Sequence, residues 1–201
     1  MTYRAVGFDY GGVITGEPSS ELSKNISKLL RVKEEKYREA YYNHNLEFNR
    51  GLISREEFWT TVLAELDRSD KLDQLTDFFK NSNFGKFNNL IVQLADSLRA
   101  QGFKVGLLSN NSLEGDQQMR DQGLAKHFDV FDISAETGLV KPEAGAFHHL
   151  AEGLGVDIRQ LIFIDDSEKS LSTSSEVGYQ PILYKNYKDL IKQLKALGIP
   201  T

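Results

Sequence analysis

Five short apolar runs stand out along the chain: Ala5–Phe8, Lys104–Leu108, Val130–Ile133, Leu161–Ile164 and Pro181–Tyr184. Each reads as a strand. In the second half of the chain they alternate with segments whose apolar residues recur at helical spacing. Leu90, Leu94 and Leu98 form one such core-facing stripe, stopped by Gly102. Phe147, Leu150 and Leu154 form another, with Gly153 and Gly155 at its end. Leu190, Leu194 and Leu197 mark the last, closed by Gly198 and Pro200. Gly or Pro just past a periodic stretch is a helix stop. Strand–helix alternation predicts an α/β fold with a doubly wound parallel sheet.

Residues 15–86 break this alternation and read as helices only. Leu22, Ile26, Leu29 and Leu30 share one face. Ser54-Arg55-Glu56-Glu57 has the capping-box pattern, followed by Phe58, Val62 and Leu66. This stretch separates the first strand from the second and far exceeds the dozen or so residues of a βαβ crossover. The expected division is a core of residues 1–14 and 87–201 carrying an inserted helical cap, residues 15–86. The plainer alternative is a long crossover packed on the sheet.

Composition narrows the picture. The 201 residues carry a net charge of −5. An acidic balance disfavours nucleic acid and anionic membranes, which need clustered Lys and Arg. No cysteine is present, which removes disulfides, thiolate zinc sites and thiol nucleophiles. No apolar run approaches the ~20 residues of a membrane span. The short apolar run at the N-terminus leads straight into Asp9, so no signal peptide is expected and the expected location is cytoplasmic.

Four stretches carry candidate chemistry. Ala5-Val6-Gly7-Phe8-Asp9-Tyr10-Gly11-Gly12 delivers a carboxylate to the end of the first strand and then turns. Leu108-Ser109-Asn110-Asn111 ends the second strand with a hydroxyl and two amides. Lys141-Pro142 sets a lysine before a helix, with the proline expected in its first turn. Ile164-Asp165-Asp166-Ser167 ends the fourth strand with two carboxylates. Each has an ordinary reading as a turn, a helix cap or a solvated side chain. In a parallel sheet, however, all four strand ends meet at one edge, where ligands bind. There they supply a carboxylate, a hydroxyl, a cation and an acidic pair suited to a hard cation such as Mg²⁺.

Taken in order, Phe8-Asp9-Tyr10-Gly11-Gly12-Val13, Leu108-Ser109-Asn110, Lys141-Pro142 and Asp165-Asp166 resemble the haloacid dehalogenase-like hydrolases. The resemblance spans essentially the whole chain and implies a Rossmann-like catalytic core with a cap. It implies that Asp9 is the nucleophile that becomes an aspartyl-phosphate. It implies that Ser109 and Asn110 bind the phosphoryl group and that Lys141 neutralises nucleophile and phosphate. Asp165 and Asp166, with Asp9 and the Gly11 carbonyl, would hold Mg²⁺. Phosphatases of this family usually carry a second Asp where this chain has Gly11, and that Asp protonates the leaving group.

The Gly form and the segment Asn49–Phe58 look closest to a capped branch that includes sugar-1-phosphate phosphatases. The expected activity is hydrolysis of a small phosphorylated metabolite. Any general acid would then come from the cap, where His44 and Glu47 are the candidates; His148-His149 is expected at the surface. Two alternatives stay open: a metal-free 2-haloacid dehalogenase, and a catalytically weak phosphate-binding or regulatory protein.

Overall fold

The structure is a computed structural model that describes residues 2–15, 19–81 and 87–201. Its five strands are β1 Ala5–Phe8, β2 Lys104–Ser109, β3 Val130–Ile133, β4 Leu161–Asp165 and β5 Gln180–Leu183. All pair in parallel, in the order β3-β2-β1-β4-β5. β2 and β4 run one residue beyond the apolar runs that announce them, ending on Ser109 and Asp165.

The helices are α1 Ser19–Leu30, α2 Glu34–Asn49, α3 Arg55–Glu65, α4 Leu72–Asn81, α5 Asn89–Ala100, α6 Leu113–Asp121, α7 Ser134–Thr137, α8 Ala144–Gly153, α9 Ser174–Val177 and α10 Tyr187–Ala196. Strand residues alternate between two apolar layers. Val6, Phe8, Val105, Leu107, Ile162 and Ile164 pack with α5 and α10 on one face. Ala5, Leu108, Leu161 and Phe163 pack with Phe147, Leu150 and Leu154 of α8 on the other. A strand covered on both faces has no polar position to spare, which is why these runs are continuously apolar.

Three details depart from the sequence expectation. The buried stripe of α5 is Ile91, Leu94, Ala95 and Leu98; Leu90, in the first turn after the Asn88 cap, is exposed. Pro142 precedes α8, whose cap is Glu143, instead of occupying its first turn. Asp165 caps no helix, one of the ordinary readings of the acidic pair: its Oδ1 accepts the Ser167 N–H at 2.8 Å, closing a local turn.

Between β1 and β2 the described residues are helical. The capping box forms, with Ser54 and Glu57 each accepting the other's backbone N–H. α1 to α4 bury a cluster of their own, including Ile26, Leu30, Phe48, Phe58, Val62, Leu63 and Leu75. It shares no residue with the two sheet layers. Phe48 and Phe58 stack 4.4 Å apart and join α2 to α3. The junctions at residues 16–18 and 82–86 lie outside the described residues. No helix among the described residues is long and apolar enough to cross a membrane.

Candidate active site

Register assembles the site. Phe8 pairs with Leu107 on one side and Ile164 on the other. The next residue, Asp9, is therefore level with Asp165, and its N–H continues the ladder to the Ile164 carbonyl at 2.8 Å. The chain then turns through Tyr10–Ile14. Gly11 sits at φ −64°, ψ 134°, a backbone any residue adopts, whereas Gly12 sits at φ 71°. A Cβ on Gly12 would lie 2.0 Å from Asp166 Oδ2. Of the two adjacent glycines, Gly12 is the one the fold requires.

Lys141 reaches into this edge from the segment before α8. Its Nζ donates to Asp9 Oδ1 at 2.7 Å and to Asp165 Oδ2 at 2.5 Å. The lysine side chain is 2% exposed, and those of Asp9 and Asp165 are 11% and 1%. Burial, then the charge of Asp165, pushes the Asp9 carboxyl up to about 7, while Lys141 pulls the other way. For Lys141, burial works against the ammonium. The Asp9 and Asp165 charges outweigh it and hold the lysine above its usual range. Ser109 is buried at the end of β2. Asn110 turns to the lysine backbone: its Nδ2 donates to the Lys141 carbonyl and its Oδ1 accepts the Lys141 N–H, both at 2.9 Å.

Asp9, Asp165 and Asp166 each bring a carboxylate oxygen within 4.8 Å of the others. Lys141 bonds two of these three carboxylates, Asp9 and Asp165. Three clustered carboxylates, all oxygen donors, fit a hard divalent cation such as Mg²⁺. Gly11 adds no side chain; its carbonyl is the further oxygen that the sequence resemblance assigned.

A family model, described as haloacid dehalogenase-like hydrolase, matches residues 3–178. The chain belongs to the haloacid dehalogenase-like hydrolases. Phosphatase MT3486 of Mycobacterium tuberculosis is 27% identical over 211 aligned residues, covering 98% of this chain and 96% of the relative. Mouse bifunctional epoxide hydrolase 2 is 28% identical over 116 residues, covering 55% of this chain. The chain spans about a fifth (21%) of that relative's length. A haloacid dehalogenase family enzyme from Bacteroides thetaiotaomicron, solved as a magnesium complex, superposes with a TM-score of 0.72 at 23% identity. That match covers 96% of this chain and all of the other.

In this hydrolase, α2, α3 and the turn between them face the carboxyl edge of the sheet through polar contacts. Lys169, just past Asp166, lies over the Tyr42 ring at 4.9 Å. Arg50 pairs with Glu143, two residues from Lys141. Arg55 donates to Ser112 at 3.2 Å and lies 3.8 Å from Glu114. A cavity of about 230 Å³ runs along this seam between Leu52-Ile53 and Ser112-Leu113.

Of the two expected general acids, His44 lies off this face, about 160° around α2 from Tyr42 at 100° per residue. His44 pairs instead with Glu65 at 2.6 Å, at the far end of α3 from Arg55. Glu47 is exposed. His148 and His149 are at the surface as expected, and His149 bonds Asp132 of β3 at 2.9 Å. Sequence reasoning missed Gly12, the seam residues Tyr42, Arg50 and Lys169, and the Asn110 contacts. Only the paired glycines gave any signal, and which of two takes the positive φ depends on what packs against it.

Proposed function

We propose that this hydrolase is a Mg²⁺-dependent phosphatase of a small phosphorylated metabolite, acting through an aspartyl-phosphate. The observation that carries the reading is the buried Asp9–Lys141–Asp165 cluster with Asp166 beside it. The near-full-length likeness to a phosphatase and the magnesium complex of a structural neighbour support it.

Asp9, Asp165, Asp166 and the Gly11 carbonyl would hold the metal, which when bound supplies positive charge to the phosphoryl oxygens. Lys141 neutralises Asp9 and the incoming phosphate, so two anions can approach. Ser109 donates its hydroxyl to a phosphoryl oxygen. An Asp9 oxygen attacks phosphorus as the bond to the leaving oxygen breaks. Water then attacks phosphorus, the Asp9–phosphorus bond breaks, and inorganic phosphate leaves. The helical segment, residues 15–86, acts as a cap over this edge and excludes bulk water.

With glycine at position 11 and His44 held by Glu65, the leaving group departs without a positioned acid. The substrates favoured are therefore those with an already stable leaving group, such as an aryl phosphate or the anomeric phosphate of a sugar. The test is hydrolysis of 4-nitrophenyl phosphate with Mg²⁺ and with chelator. Turnover should depend on the metal. Full activity in chelator, together with turnover of a 2-haloacid, would replace this reading with a metal-free dehalogenase.

A further inference from the structure

We infer that the Asn110 side chain positions Lys141 and does not itself bind the phosphoryl group; this rests on the phosphatase reading above. A primary amide offers one oxygen and two N–H donors. Asn110 places its oxygen and one donor on a single residue, accepting from Lys141 N–H and donating to Lys141 C=O, each at 2.9 Å. The pair of bonds fixes both translation and rotation of the Lys141 peptide units. A second tie comes from the other flank of the site: Thr173 Oγ1 donates to the Pro142 carbonyl at 2.7 Å. The lysine segment is thus moored to the loop after β2 and to the segment after β4, the two strands that flank β1.

The need for mooring follows from the lysine itself. Its ammonium must hold Asp9 at 2.7 Å and Asp165 at 2.5 Å at once, from the end of a long flexible chain. Displacing the backbone by about 1 Å would break that double contact, and misplacement on this scale costs on the order of 10²-fold in rate. Ser109, one residue earlier, makes no side-chain hydrogen bond among the described residues, which leaves its hydroxyl for the substrate. The two neighbours divide the work: Ser109 meets the phosphoryl group and Asn110 aims the lysine.

The test is a double-mutant cycle on 4-nitrophenyl phosphate with Mg²⁺, using Asn110→Ala, Lys141→Ala and the double variant. Asn110→Ala should lower kcat roughly 10²-fold with little change in KM. The double variant should be no slower than Lys141→Ala alone, because a residue acting only through the lysine has nothing left to act on. Where Lys141→Ala is too slow to follow, orthovanadate binding by calorimetry closes the same cycle. If Asn110→Ala fails to fold, Asn110→Asp keeps the acceptor for the Lys141 N–H and enters the cycle instead. Losses that multiply in the double variant would show a direct Asn110 contact with substrate and overturn the inference, as would wild-type kcat in a folded Asn110→Ala. A wild type inert towards phosphate esters in Mg²⁺ would mark a different failure, that of the phosphatase reading itself, and the inference would fall with it.

Discussion

Two sets of oppositely charged pairs meet at the sheet's carboxyl edge, and they differ in burial. Lys141 sits between Asp9 and Asp165 almost wholly out of water. The pairs that face it from the helical segment are half in solvent: Arg50–Glu143 at 35% and 45% exposure, Arg55–Glu114 at 38% and 52%. The chemistry of the contacts is the same, but the energetics are not. A buried pair is balanced against desolvation, and removing one partner strands the other at a cost of about 3–5 kcal/mol. An exposed pair is worth about 0–1 kcal/mol and is screened by salt. The inner set therefore creates a fixed, strongly perturbed environment in which charge can be moved. The outer set gives a contact that is cheap to break, joining two parts whose apolar clusters share no residue.

The comparison is broken most severely at Asp9. Asp9→Asn keeps the shape of the side chain and removes the proposed nucleophile. Turnover should fall roughly 10⁶-fold, the scale for loss of a covalent nucleophile. Burial and the Asp165 charge already push the Asp9 carboxyl up to about 7. Lys141 keeps Asp165 as a partner when the Asp9 charge is removed, so the usual cost of stranding a buried charge does not arise. Thermal unfolding of the metal-free variant should accordingly come no lower than that of wild type. Retained activity would remove Asp9 from the role of nucleophile; a lower unfolding midpoint would mean the carboxylate is not strained by its neighbours.

Gly11→Asp sharpens the comparison from inside the site. The position has an ordinary backbone, φ −64° and ψ 134°, so the backbone strain that a side chain would meet at Gly12 does not arise there. A positioned acid is worth about 10²–10⁴-fold. The gain should appear on a hexose 6-phosphate, whose alcohol leaves poorly, much more than on a hexose 1-phosphate. The check is kcat/KM for both esters in wild type and variant. Equal wild-type rates on the two would reveal an acid already in place.

These contrasts also show what the chain discloses in one dimension. The inner set was legible because it follows from strand ends: an apolar run fixes where Asp9 and Asp165 stop, and parallel pairing brings them level. The length of the all-helical stretch between β1 and β2 was legible from its period. Facing was not. His44 is a polar residue on a long helix, and only the packing of α2 on α3 decides that it turns to Glu65. Leu90 fitted the apolar spacing of α5 but fell in its first turn, beyond the sheet's reach. Asn110 beside Ser109 has the look of a second phosphate ligand. Its engagement with a backbone 31 residues away is a tertiary fact.

The smallest effect belongs to the outer set. Arg50 pairs with Glu143, but its Nε is buried with no hydrogen-bond partner. Truncation to alanine loses a half-exposed ion pair and removes an unsatisfied donor, two changes of opposite sign. The net change in stability should stay below about 1 kcal/mol, which for a chain of this size moves the unfolding midpoint by less than about 3 °C. Added salt should shrink even that, since a half-exposed ion pair weakens as ionic strength rises. Calorimetry of Arg50→Ala at low and high salt makes the measurement. A loss of several kcal/mol that persists in salt would show that Arg50 anchors the helical segment as firmly as Lys141 holds the site, and the distinction between inner and outer pairs would disappear.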